Sequence, residues 1–463
     1  MGFSKKASVF FNCGFRLLLL WKCGRIGKTA LYCKDTGKVV LAAISYSLRT
    51  ADNMREGKIG VAILGLGTVG TGVAEILSQN RAMIFNRSGV DLELKKVLVR
   101  DPHKKREIEL LPEVYAKNIE EILQDEEIGI VVELMGGLHP AKEYIVKALK
   151  AKKAVVTANK AVLANYAPEL FQLARENNVP LYYEASVAGG IPLIQPLTES
   201  LVGNNINSVM GIINGTTNYI LTKMSNEARS FTEVLKEAQE LGYAEADPSA
   251  DVDGLDAAHK LTVLVSLAFD THIPLSDIYC EGIRTIDTMD IRFARDFGYG
   301  IKLLAIGKKT PSGIEARVHP TLIPLNHPLA SVNDAFNAVF VNSQEVGELM
   351  FYGRGAGRYP TASAVVGDIV SAGRILNGIG TTLSRKFAKG RAVPIAETKG
   401  SFYVRLMVED RPGVLGDIAY ILGQNGVSVA SVIQEGRAHD QVPLVFVTHE
   451  VKQGDLAKSI KNI

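Results

Sequence analysis

The chain has 463 residues and a net charge of only +3, with 47% hydrophobic and 22% charged residues. That length supplies two or three domains with ample core, and the composition is that of a globular protein, not a disordered or fibrous one. The charge is unevenly spread, with nine Lys/Arg against two Asp/Glu in residues 1–53 and 43 against 47 in the remainder. The body is therefore mildly acidic and has no basic block suited to a phosphate backbone, which excludes nucleic acid as an expected partner.

The N-terminal piece differs in composition from the rest. It holds Cys13, Cys23, Cys33 and the single Trp21, while Cys280 is alone in the body. A lone cysteine gives no disulfide framework and implies a reducing compartment, so a cytoplasmic protein without a membrane partner is expected. The run VFFNCGFRLLLLWKCG is broken by Arg16 and Lys22 and is too short to span a bilayer; cysteines ten apart do not match a zinc spacing. Residues 1–53 read as an extension outside the fold, with a transit or anchoring segment as the second reading.

From Met54 the sequence reads as the start of a nucleotide-binding domain. Lys58–Leu64 predicts a buried strand, and GLGTVGTG opens a helix through Ala74–Leu77. Gly65, Gly67 and Gly70, with Thr68 and Val69, make G-x-G-x-x-G between strand and helix. Glycine there permits the tight turn and the close approach of a pyrophosphate to the helix N-terminus. The next strand, LKKVLVRD, ends on Arg100 where an acidic residue would grip the ribose of NAD. With His103, Lys104 and Lys105, Arg100 points to a 2′-phosphate and so to NADP, NAD being the alternative; a solvated loop is the plainer reading of those residues. Strands in IGIVVELMGG and AKKAVVTANKAVLA alternate with helices over Ala141–Lys150 and Pro168–Asn177, which predicts a Rossmann-type doubly wound parallel sheet. Thr157, Asn159 and Lys160 fall at a strand's carboxyl end, where such sheets bind ligands. YYEASVAGGIPLI reads as a hinge between domains.

The pattern then turns mixed α+β. A helix over Pro196–Leu201 precedes the strand SVMGIIN, and GTTNYILTKM begins a helix with Thr216, Thr217 and Asn218 at its start, either as caps or as site residues. Strands in IKLLAIGKK, IEARVHPTLIP and NAVFVNS suggest a second sheet. Gly353, Gly355 and Gly357 before a small-residue helix form another phosphate-friendly turn, expected to pack back on the nucleotide domain. The expected domains are 54–190 (completed by about 347–385), 191–346 for catalysis and dimerisation, a linker over 386–400, and 401–463.

The most informative stretch is 238–260, AQELGYAEADPSADVDGLDAAHK, with six acidic side chains feeding LTVLVSLAF. A helix apolar nearly all round has to be buried, so the first-turn Asp256 and Lys260, four apart on one face, are carried inward. Buried lysine shifts its pKa readily and makes a usable proton donor; a surface ion pair is the plainer alternative. Ala238, Gly242, Tyr243, Ala244, Asp247, Pro248, Asp251, Val252, Gly254, Asp256 and Lys260 together resemble the signature of the homoserine dehydrogenase family.

The resemblance implies NAD(P)-dependent interconversion of L-aspartate 4-semialdehyde and L-homoserine, in threonine and methionine biosynthesis. It implies Lys260 as proton donor beside Asp256, and Glu245, Asp256, Asp251 and Lys160 as substrate-binding groups. Lys160 also reaches the cofactor, and Gly242 and Gly357 let the cofactor approach. It further implies a monovalent cation, sodium, on Glu184, Val187, Gly189 and Ile191, and a homodimer or homotetramer. No kinase-sized region precedes the dehydrogenase, so a monofunctional form is expected. The tail, SFYVRLMVEDRPGVLGDIAYILGQNGVSVASVIQEG, resembles an ACT-type regulatory domain that binds an amino-acid effector, with its last strand missing. The rival readings are a dehydrogenase of another oxo-acid on the same architecture and an amino-acid-sensing regulator.

Overall fold

Alternate residues of strand β1 (Ile59–Leu64) point to opposite sides. Ile59, Val61 and Ile63 enter one apolar cluster and Ala62 and Leu64 another, all of them buried. Burial on both faces is what a parallel sheet covered by helices on each side requires. In this computed structural model, which describes residues 58–380, 385–435 and 441–463, β1 lies inside a five-stranded parallel sheet. The order is β2 (Leu92–Leu98), β1, β3 (Ile128–Glu133), β4 (Ala154–Thr157), β5 (Leu181–Tyr182). Upstream of Lys58 only four short strands are described, and the expectation that 1–53 stand outside the fold falls outside the described residues.

Helix α1 (Thr68–Gln79) covers one face through Val73, Ala74 and Leu77, while α2 (Ala141–Lys150) and α3 (Lys160–Asn177) cover the other. Pro168 was expected to open α3, because proline suits a helix's first turn. The helix instead starts at Lys160 and runs through Pro168. An interior proline costs about 3 kcal/mol; here Asn159 caps the first turn, accepting from Val162 N at 3.1 Å, and Val162, Leu163, Leu170 and Phe171 are buried. Residues 183–194, read from the sequence as a hinge, are mostly buried, and the Glu184 carboxylate accepts the amides of Leu193 and Ile194.

The second sheet has six strands. The short strand Tyr279–Cys280 is followed in order by β8 (Gly313–Pro324), β7 (Tyr299–Thr310), β6 (Ile206–Ile212), β9 (Phe336–Ser343) and β10 (Gly347–Arg354). One face is packed by α4 (Gly215–Glu227) and α5 (Leu255–Phe269). Strand β10 pairs with β9 in this sheet, although its residues were expected to begin the return to the nucleotide domain. The return is made by α7 (Arg358–Leu376), whose Ala362, Val365 and Ile369 join α1 over the parallel sheet. A Cβ on Gly72 of α1 would stand 3.0 Å from that of Ala362, so glycine lets the two helices approach.

The expected linker is tied at both ends, Ala388–Lys389 to Thr271–His272 and Lys399–Gly400 to Val451–Lys452. The small domain orders β11 (Tyr403–Val408), β13 (Val442–Thr448), β12 (Val429–Gln434), with α8 (Val414–Gln424) and α9 (Gln453–Asn462) packed on one face. Arg405 of β11 reaches the helix α6 (Thr288–Asp296), giving its Nε to the buried Asp290 Oδ1 at 2.7 Å, and Tyr403 Oη donates to the same oxygen at 2.8 Å. Among the described residues no helix is long and apolar enough to cross a membrane.

Candidate active site

Helix α5 begins at Gly254, held at φ +86, and buries Ala257, Ala258, Leu261, Val263, Leu264, Val265 and Leu267. Burial so nearly all round draws its first turn inward with it. Lys260 Nζ donates to Asp256 Oδ2 and to the carbonyl of Ile213, each at 2.7 Å, and the Lys260 and Asp256 side chains are 13% and 11% exposed. Lys160, first residue of α3, approaches the other carboxylate oxygen, Oδ1, at 3.0 Å from the parallel-sheet side. Asn214, just before α4, gives its amide to Asp256 Oδ2 at 3.0 Å and to Asp251 Oδ1 at 2.6 Å. Burial alone would raise the Asp256 carboxyl; the charges of Lys260 and Lys160 and the hydrogen bonds from Lys260 and Asn214 outweigh it and hold the group well below the usual carboxylate range. The arrangement is a deprotonated acid gripping two ammonium groups. The two acceptors of Lys260 take up two of its three donor protons.

The glycine turn after β1 meets the requirements of a pyrophosphate site. Gly65 has φ +98, and a Cβ on Gly70 would lie 2.1 Å from Gly65 O. Around Gly67 a Cβ would meet nothing within 4 Å, and no side chain caps α1, so its first amides face open space. That combination suits a dinucleotide. Gly357 is its counterpart at α7, with φ +124 and no side-chain cap.

Three family models match the chain: "Homoserine dehydrogenase, NAD binding domain" over 65–184, "Homoserine dehydrogenase" over 192–370, and "ACT domain" over 402–463. A homoserine dehydrogenase of Synechocystis is 46% identical over 422 residues, 88% of this chain and 96% of that protein. One from Corynebacterium glutamicum is 45% identical, covering 87% and 92%. The crystal structure of a homoserine dehydrogenase from Thiobacillus denitrificans superposes with a TM-score of 0.82 at 40% identity, over 88% of this chain and 94% of that one. The chain belongs to the homoserine dehydrogenase family. Its reaction is the NAD(P)-dependent interconversion of L-aspartate 4-semialdehyde and L-homoserine, a step of threonine and methionine biosynthesis.

Of the residues singled out in the sequence of this homoserine dehydrogenase, Lys260, Asp256, Lys160 and Asp251 come together. Glu245 does not. It is exposed on the loop after Gly242 (φ +76), and its backbone carbonyl is bonded by Gln239 at 3.1 Å. Arg100 is exposed just beyond β2. Thr216, Thr217 and Asn218 part ways. Thr216 Oγ1 anchors the acidic loop through Tyr243 O at 2.7 Å, Thr217 N is capped by Asn214, and Asn218 turns away to the carbonyls of Val332, Asp334 and Phe336.

At the expected cation loop, the buried Glu184 carboxylate accepts the amides of Leu193, Ile194 and Gln195 at 2.5–2.7 Å. Val187 and Ile191 are buried, and Ala188 and Gly189 carry φ of +56 and +55. A Cβ on Gly189 would lie 2.2 Å from Gly355 O, so this loop and the Gly353–Gly357 turn interlock. Among the described residues no three His, Cys, Asp or Glu side chains gather in metal-binding range.

Two buried groups escaped the sequence reading. Asn214 is one. The other is Glu133, fully buried at the end of β3, whose carboxylate accepts Met135 N at 2.8 Å and Thr157 Oγ1 at 2.6 Å and lies 3.5 Å from Asn159 Nδ2. It ties the ends of β3 and β4 to the residue that precedes Lys160. An acid ending an otherwise apolar strand was its only signal. A small cavity of about 50 Å³ beside β5, lined by Phe171, Tyr182, Tyr183 and Asp368, includes none of Lys160, Asp251, Asp256 or Lys260.

Proposed function

We propose that Lys260 is the proton donor to the carbonyl oxygen of aspartate semialdehyde. The supporting observation is its ammonium group, engaged by Asp256 Oδ2 and the Ile213 carbonyl at 2.7 Å each, which takes up two of its three donor protons. The bound nicotinamide dinucleotide supplies the hydride to the neighbouring carbon. Asp256 holds Lys260 in place and, with Asp251, receives the ammonium or hydroxyl group of the substrate. Lys160 orients the substrate and steadies negative charge developing on its oxygen. Glu245 joins them when the loop after Gly242 folds inward. In the oxidising direction Lys260 returns as the base that takes the hydroxyl proton.

The test is NADPH absorbance with and without aspartate semialdehyde. Lys260→Ala should abolish turnover while retaining NADPH binding; equal turnover in both proteins would remove the assignment.

The finer points rest on narrower support. Arg100 and its basic neighbours favour NADP, and a hyperthermophilic archaeal homoserine dehydrogenase, described in complex with NADPH, superposes at 30% identity with a TM-score of 0.58 over 68% of this chain. The loop with Glu184, Val187, Gly189 and Ile191 holds a monovalent cation on carbonyl oxygens. The support is the turned backbone at Ala188 and Gly189 beside a buried carboxylate, and turnover indifferent to sodium in cation-free buffer would end that reading. The chain assembles as a homodimer or homotetramer through the second sheet, where Met350 and Tyr352 on the edge strand β10 are 40% and 52% exposed. The ACT-type domain takes an amino-acid effector, checked by titrating amino acids against the rate. The single cysteine of the body, Cys280, supports a cytoplasmic location.

A further inference from the structure

Asn214 is 6% exposed and uses both ends of its amide. Its Oδ1 accepts Thr217 N at 2.9 Å and Thr217 Oγ1 at 3.0 Å, capping α4. Its Nδ2 donates to Asp251 and Asp256. The carbonyl of the residue before it, Ile213, is the second acceptor of Lys260. We propose that Asn214 is the positioning residue of this site, holding Asp251 and Asp256 at a fixed spacing and so fixing where the third proton of Lys260 points. This inference rests on the reading of Lys260 as the proton donor.

The physical case begins with the cap. An amide free to flip would present oxygen or nitrogen to the acids by chance, but here the helix N-terminus claims the oxygen. Only the NH₂ group can then face Asp251 and Asp256. Two carboxylates sharing one donor nitrogen would otherwise repel each other. The charged groups around Asp256 are Lys260 from its own helix, Lys160 from the start of α3, and Asp251 from the turn before α5. Without the amide, Asp256 would follow its two ammonium partners and Asp251 would swing away, and Lys260 would lose its bearing with them. A neutral donor is the fitting one. A lysine at 214 would compete with Lys260 for Asp256, and an acid would add a third like charge.

The test uses the full chain with Asn214→Ser and Asn214→Asp, both good N-caps, so α4 stays closed and thermal unfolding reports whether the fold is kept. Losing a hydrogen bond to a charged group predicts that Asn214→Ser lowers kcat about 10- to 100-fold. The KM for aspartate semialdehyde should rise, the NADPH Kd measured by fluorescence should hold, and the isotope effect with 4-deuterated NADPH should grow. Asn214→Asp should fall further. In an Asp251→Asn background the Ser variant should cost less, because one of its two clients is already altered.

A purely structural Asn214 would give a lower kcat in proportion to folded fraction, with KM and isotope effect unchanged, and that result overturns the proposal. So would wild-type kinetics in both variants. Turnover retained by Lys260→Ala is a different failure, of the proton-donor reading itself, and would take this proposal with it.

Discussion

Replacing Asp256 with Asn removes the charge around which the site is built and leaves its shape nearly intact. In the wild type the carboxylate holds Lys260 at 2.7 Å with both side chains close to nine-tenths buried. Breaking a buried pair from one side costs roughly 3–5 kcal/mol, because the surviving ion stays desolvated. Lys160 adds little to that figure, since its side chain is 40% exposed and its pairing is screened by water. The low end, about 3 kcal/mol at pH 7, is therefore expected, or a fall of about 6–12 °C in the unfolding midpoint for a domain of 150–250 residues. The pH dependence has a definite sign. The folded carboxyl titrates below its ordinary 3.8, so its contribution is complete above that value and drains away as pH falls below it. Unfolding curves of wild type and Asp256→Asn should stand apart at pH 7 and converge below about pH 4. Equal midpoints at pH 7 would refute the argument, and so would a gap that persists unchanged into acid.

Two glycine substitutions separate folding from binding. Gly67→Ala meets no atom and should unfold like wild type, yet weaken NADPH at least about tenfold by standing where the pyrophosphate approaches; Gly70→Ala drives a Cβ into Gly65 O and should cost about 1–3 kcal/mol of stability before any ligand is added. Arg100→Ala should lower the NADPH-to-NADH ratio of kcat/KM about 10- to 100-fold, and unchanged NADPH affinity would end the lean towards NADP. Tyr352→Glu should shift the assembly towards monomer in light scattering while leaving the far-ultraviolet dichroism alone; an unchanged mass would clear β10 of the role.

What the sequence displayed was what local spacing can encode. The glycine turn sits between a buried strand and a helix within a dozen residues, and Asp256 and Lys260 are one helical turn apart, so both were legible. The partners that give the pair its chemistry come from afar. Lys160 lies 96 positions upstream of Asp256 and was legible only as a residue at a strand's carboxyl end, with nothing to say that it meets that acid, while Asn214, 42 positions away, read as the last residue of the strand SVMGIIN and is the cap of α4. Glu133 was hidden by its strand, since one acid after IGIVV reads as a strand end. Pro168 misled because its local preference for a first turn was outvoted by the packing of α3. Strand β10 misled because Gly353 lies in the strand itself while the turn glycines Gly355 and Gly357 lie just past its end.

Helix α3 of the parallel-sheet side and α5 of the catalytic side contribute to one continuous apolar cluster, with Val162, Leu163 and Ala167 from the first and Ala257, Leu261 and Leu264 from the second. The Lys160–Asp256 contact thus spans a seam lined by buried side chains, and the segment 183–194 between the two sides is itself mostly buried. Rigid rotation of one domain about the other would have to open that core. The exposed part of the site is the loop carrying Tyr243 and Glu245, held by Thr216 at the Tyr243 carbonyl and by Gln239 at the Glu245 carbonyl, and bounded by Gly242 and Gly254, both at positive φ. On the proposed reading of Glu245 as a substrate-binding group, the movement that would bring it inward belongs to this loop.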